Sequence, residues 1–322
     1  MDESVVTPDK TTTYRRRRDG SEATGARRSS KRALGRVPWW FVIPGVASIL
    51  VLRYLPSIAG GTYAFTDWTG AGLSAHWTGV ANFRQVLSDS ATGGAVWRTI
   101  LLAIAFVIVV NVVGIALAVS LRAALRTRTL LRALFFLPFT LSQLATAYIW
   151  QFILAYDGPV NALLKAVGLG SLVQTWLSSP IFAILAVLVV LVWQYTGLTM
   201  IVYLAGLESI SEELDEAASV DGASFGQKFR HVTFPLLAPA MTIAVTLTLI
   251  YGLGAFDQII GLTGGGPVDS TQTLATQVWQ QTFVYGKYGE GSALALIFAI
   301  VVSVLSLGLM AVLRMREERL QR

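Results

Sequence analysis

Six stretches of this chain, near residues 38–60, 98–121, 131–153, 180–206, 236–260 and 292–313, are almost wholly apolar. A helix of about 20 apolar residues covers the hydrocarbon of a bilayer, so each stretch is long enough to cross one. The chain has 322 residues, 54% of them hydrophobic and only 14% charged, with a mean hydropathy of +0.59. A soluble domain of that composition would lack the polar surface to cover itself. The expected fold is therefore an all-α membrane protein with six transmembrane helices.

Sidedness follows from where the cations lie. Of the 25 Lys and Arg residues, ten precede residue 38, four lie between 122 and 132, two between 209 and 239, and four after residue 313. With an even number of spans these twenty share one side, which leaves Arg53, Arg84, Arg98, Lys165 and Lys287 in outer loops or outer halves of spans. The positive-inside bias puts both termini and the 209–239 connection in the cytoplasm. Trp68, Trp97, Trp150 and Trp176 then fall near outer interfaces, Trp39 and Trp40 at the inner one, and Trp193 alone sits mid-span.

Residues 1–37, with Arg15 to Arg18, Arg27, Arg28, Lys31, Arg32 and Arg36 among Ser, Thr and Gly, read as a basic disordered cytoplasmic tail drawn to anionic membrane lipid. No aromatic platform accompanies the arginines, so nucleic acid is not an expected partner. Residues 38–314 form the six-span domain and 315–322 a short cytoplasmic tail.

Residues 209–239, SISEELDEAASVDGASFGQKFRHVTFPLLAP, form a polar island between the fourth and fifth apolar stretches. Ser209 with Glu212 and Ser224 with Gln227 fit the capping box at a helix start. The first helix carries Ile210, Leu214, Ala217 and Ala218 on one face, the second Phe225, Phe229 and Val232. Asp221 and Gly222 supply the break, glycine tolerating the positive φ of a sharp turn.

Glu216, Ala217, Ala218, Asp221, Gly222, Ala223, Phe229, Pro235 and Pro239 resemble the EAA loop of permease subunits in bacterial ABC importers, with Val232 and Phe234 where isoleucine and leucine are commoner. TDWTG and WTGVANFRQVLSD (66–89), LRALFFLP (131–138) and LTGGGP (262–267) are similar to segments of the carbohydrate branch of that family, so the resemblance spans about residues 38–313. It implies a type I ABC importer permease fold, N-in and C-in, with a cytoplasmic coupling helix seated in a groove of an ATPase. Glu216, Ala217, Ala218, Asp221, Gly222, Leu214 and Phe225 are the coupling residues it implies. The partners it implies are a second, related permease subunit, a cytoplasmic ATPase dimer, an external solute-binding protein and a sugar.

The chain has no G-x-x-x-x-G-K-[ST] and so no phosphate-cradling loop of its own. With no cysteine, and only His76 and His231 far apart, no metal or other cofactor is expected. It is not expected to be an enzyme.

Polar side chains inside spans are costly unless paired or facing a cavity. Asn111, Gln143, Gln151, Thr199, Thr246, Asp257 and Gln258 are of this kind, and interhelical hydrogen bonding is the simpler role for each. Trp193, Gln194 and Tyr195, at mid-depth with Thr248 and Tyr251 on the next span, also offer the amides and rings that a sugar's hydroxyl edges and C–H faces require. The resemblance to maltose permeases puts Gln194, Tyr195, Thr248 and Gly252 at substrate-contact positions, Gly252 replacing an amide-bearing residue. Trp193, Gln194, Tyr195, Thr248, Tyr251 and Gly252 are therefore the candidate substrate site. The function expected is ATP-driven import of a sugar or oligosaccharide. Glycerol-3-phosphate or another polar solute is an alternative cargo, and an ion-driven carrier using Asp257 is the rival mechanism.

Overall fold

The computed structural model describes residues 39–72, 74–122 and 127–320, and among these every regular element is helical. The basic tail, the middle of the 122–132 loop and the last two residues lie outside the described residues. Chain contacts divide the protein at Pro56. In the first unit a short turn at Trp39–Phe41 leads into the helix Ile43–Ile49, with Pro44 in its first turn, where its missing N–H costs nothing. A wider turn follows at Leu50–Tyr54, and none of these helical residues is buried within the chain. The apolar helical stretch as a whole runs Ile43–Tyr63.

In the second unit, Ser90–Arg122, Pro180–Glu208 and Tyr288–Leu320 are long single helices and are here the second, fourth and sixth spans. Two further spans are bent pairs, Arg128–Thr140 with Gln143–Ile153 and Phe225–Leu236 with Ala238–Leu253, the third and fifth. Among the described residues, four helices are thus long and apolar enough to cross a membrane, and up to six if each bent pair counts as one.

The third span departs from the continuous helix expected over 131–153: its halves meet at 98°. Pro138 removes one helical donor, and Leu141 then leaves the helix with φ −76° and ψ 149°. The fifth span, expected over 236–260, ends at Leu253, and Asp257 opens a separate short helix, Asp257–Leu262, outside it. Its 71° bend falls at Leu237, between Pro235 and Pro239.

The second and fourth spans pack along most of their lengths, with the fifth against both. One core joins Phe106, Val190, Leu191, Tyr195 and Ile259, and another, toward the cytoplasmic end, joins Met200, Tyr203, Leu204, Leu207, Ile210 and Leu237. The third span lies so close to the fourth that a Cβ on Gly197 would stand 2.2 Å from the carbonyl oxygen of Phe135. Small residues at such crossings let helix backbones approach where no water drives association.

Candidate functional site

The 209–239 connection is a helical hairpin. Its first helix is Glu212–Val220, and the cap is Ser211 rather than Ser209: the Ser211 hydroxyl accepts from the Glu213 N–H at 3.3 Å. A cap requires extended backbone, which Ser211 has with ψ 135°, whereas Ser209 is still helical and its hydroxyl donates to the Gly206 carbonyl at the end of the fourth span. The expected box at Ser224 is present, Gln227 bonding back to the Ser224 N–H at 2.8 Å. Gly222 makes the turn at φ +76°. Ile210, expected on the first helix face, precedes that helix and is buried under it with Leu207 and Leu237.

The apolar side chains left outside are Leu214, Val220 and Phe225, exposed by 45%, 88% and 72%. Glu216, Ala217, Asp221 and Gly222 are exposed and Ala218 is half-buried. Glu212 and Glu216 line a pocket of about 470 Å³ with Arg122, Lys228, Phe225 and Phe229. Lys228 donates to the Ser219 hydroxyl at 2.8 Å, tying the second helix of the hairpin to the first.

At mid-depth the candidate substrate residues separate onto different faces. Gln194 and Tyr195 are buried. The Gln194 amide donates to the Leu141 carbonyl at 3.4 Å and its oxygen accepts from Gln258 at 3.0 Å. Tyr195 accepts from Gln143 at 2.6 Å, and its ring lies 4.8 Å from that of Tyr251, with Phe106 and Phe139 edge-on at 5.6 and 5.7 Å. Thr248, fully buried, accepts from Asn111 at 2.9 Å, while Asn111 accepts from the Tyr203 hydroxyl at 2.6 Å. Gly252 is a packing position, since a Cβ there would meet the Phe106 ring at 2.8 Å.

Trp193 is apart from these. It packs on Trp150 and lines an apolar groove of about 690 Å³ between the second, third and fourth spans. Adjacent helical residues differ by roughly 100° in direction, so a run of three in sequence does not share a face.

Tyr203 was not singled out by the sequence, although a tyrosine in an apolar run carries a hydroxyl that burial obliges it to pair. The Leu141 carbonyl is backbone and has no signal beyond Pro138 nearby. The 262–267 element reverses the chain as its glycines suggest, with Gly264 and Gly265 at φ +62° and +93°.

Residues 110–322 match the family model described as binding-protein-dependent transport system inner membrane component. The multiple sugar-binding transport system permease protein MsmF of Streptococcus mutans is 35% identical over 268 residues, covering 83% of this chain and 92% of that protein. The probable starch degradation products transport system permease protein AmyD of Thermoanaerobacterium thermosulfurigenes is 33% identical, over 83% and 90%. In three dimensions the chain is similar to a chain of a bacterial ABC transporter involved in the import of the acidic polysaccharide alginate, with a TM-score of 0.76, 23% identity, and coverage of 88% of this chain and 96% of that one.

Proposed function

Because this chain belongs to the family of binding-protein-dependent transport system inner membrane components, we propose that it translocates a sugar or oligosaccharide by alternating access, driven by a separate ATPase. It is a multi-pass membrane protein and a non-catalytic transporter component. The observation that carries the coupling is the hairpin at the joint of the fourth and fifth spans, capped at both of its helices and presenting Leu214, Val220 and Phe225 to the outside. An exposed apolar set of this kind on a capped hairpin suits burial in a partner's groove.

In this reading Glu216 pairs with a cation on the ATPase, and Leu214, Ala217 and Phe225 fill its cleft, with Ala218, Asp221 and Gly222 shaping the turn. Closure of the ATPase pair pushes the hairpin, and the fourth and fifth spans move with it. A second, related permease subunit completes the pathway, and an external solute-binding protein delivers the cargo. The sugar class is drawn from the relatives that carry sugar in their names. Gln194, Tyr195 and Tyr251 are proposed to contact the cargo, with Thr248 and Gly252 behind them, whereas Trp193, on the separate apolar groove, is left out of the proposed contacts.

The test is uptake of labelled oligosaccharide into proteoliposomes holding the chain with its ATPase, second permease and binding protein. ATP-dependent, vanadate-sensitive uptake supports the proposal. Uptake that ignores ATP and collapses with an uncoupler overturns it in favour of an ion-driven carrier.

A further inference from the structure

We propose that the cleft between the fifth and sixth spans, at the ends that the cation count assigns to the cytoplasm, holds one phospholipid with a primary-amine headgroup, phosphatidylethanolamine. The cleft takes in about 530 Å³. That is within the roughly 300–1,000 Å³ of small-molecule sites. Deeper in the bilayer the two helices meet, where Leu249 and Leu253 pack with Val302 and Leu309. Toward the cytoplasm the cleft opens between them, lined by Ile243, Leu247, Met310, Arg314, Glu317 and Glu318.

The order of these side chains along the sixth span matches a lipid laid with its headgroup toward the water. Met310 is one turn above Arg314, and Glu317 and Glu318 are one turn below it, each step roughly 5–6 Å along the helix. From bilayer to water the cleft therefore offers apolar carbon, then a guanidinium, then two carboxylates. Phosphatidylethanolamine presents acyl chain, phosphate and ammonium in the same order. Ile243, 54% exposed, and the half-buried Leu247 continue the apolar wall on the fifth span.

The charges select the headgroup. Among the described residues Arg314, Glu317 and Glu318 form no ion pair. The Thr242 hydroxyl has one proton and two acceptors in reach, the Ala238 carbonyl at 3.0 Å and Glu317 Oε2 at 3.3 Å, so the Glu317 carboxylate is only partly satisfied. Two carboxylates in the last turn of a helix also oppose its dipole, which a bound cation relieves. Arg316 lines a separate crevice with Phe234 and Met241. An ethanolamine ammonium brings three N–H donors to Glu317 and Glu318 for charge-assisted hydrogen bonds, which a quaternary choline cannot make. A glycerol headgroup would bring its phosphate to Arg314 and no cation to the carboxylates.

The experiment is native mass spectrometry of the full chain, purified in detergent with the subunits that accompany it, titrated with dioleoyl phosphatidylethanolamine, phosphatidylcholine and phosphatidylglycerol. The ethanolamine lipid should bind at least fivefold more tightly than either of the others. Glu317→Gln with Glu318→Gln should cut that preference below twofold, and Arg314→Gln should weaken the ethanolamine and choline lipids together by threefold or more. Glu213→Gln, which removes a carboxylate from the hairpin instead, should leave the preference intact. If the paired substitution fails to assemble, the exposed Glu318 carries the comparison, Glu318→Gln at least halving the preference. A photoreactive acyl chain on the ethanolamine lipid should label Ile243, Leu247 or Met310. Equal binding of the three lipids to the unaltered chain, the result expected if another subunit covers this face, overturns the proposal. So does a preference for phosphatidylglycerol, a preference that survives the paired substitution, or label found only elsewhere.

Discussion

The amide of Gln194, in the middle of the fourth span, donates to the backbone carbonyl of Leu141 at 3.4 Å, at the residue where the third span leaves the helix. Unwound backbone at membrane depth persists only where protein or water satisfies it. Gln194 does so while accepting from Gln258, so one side chain joins the break in the third span, the fourth span and the short helix that follows the fifth.

Replacing Gln194 with leucine should therefore loosen the fold as well as affect uptake. Hydrogen bonds between membrane helices average about 0.6 kcal/mol and reach about 1.7. Two are lost here, so the expected loss is about 1–3 kcal/mol, read as a lower midpoint in a detergent melt. An unchanged midpoint would show that the bond to Leu141 does not hold the break.

If Gln194 and Tyr195 also contact the cargo, Gln194→Ala with Tyr195→Ala should abolish uptake in assembled complex that still hydrolyses ATP. Uptake at the normal rate would reject the substrate role, whatever the melt shows.

Gly197→Ala is expected to be among the most damaging single-methyl additions. Its new Cβ meets the backbone of Phe135 and Phe136, which cannot rotate away as a side chain would. Overpacking costs about 1–3 kcal/mol. Gly226 is the control: a Cβ added there would have nothing within 4 Å, so Gly226→Ala should melt normally.

Tyr203→Phe strips the proton that satisfies Asn111 Oδ1, and Asn111→Leu removes both of its links across three spans. Groups in one network couple by about 0.5–3 kcal/mol. The double variant should thus lose less than the two single losses together in thermal melts. Strict additivity would mean that the Tyr203–Asn111 bond contributes nothing.

Glu216→Lys reverses an exposed charge, so the melt should not move, while uptake falls tenfold or more and ATP hydrolysis by the complex persists. Phe225→Ser should weaken ATPase retention on a gel-filtration column. Full uptake in Glu216→Lys would remove that residue from the coupling.

Much of this was legible along the chain. The two capping residues of the second hairpin helix, the turn at Gly222 and the reversal at Gly264–Gly265 depend on neighbours within a few positions, so local grammar was sufficient. The cap of the first hairpin helix was misplaced by two residues because Ser209 and Ser211 both offer a hydroxyl. Only the backbone angle, set by where the fourth span stops, chooses between them.

Apolarity by itself determined that this protein lives in a bilayer and how many times it can cross, since the cost of placing polar backbone in hydrocarbon is the same in every fold. The distribution of cations determined the expected sidedness in the same context-free way. Which polar side chains meet was decided only by the tertiary structure. Trp193, Gln194 and Tyr195 are adjacent in the chain, yet the first lies on an apolar groove and the other two are buried in a network with Leu141, Gln143 and Gln258. A hydrogen bond between spans depends on helix rotation and on the position of a break, and both are fixed by packing between segments far apart in sequence.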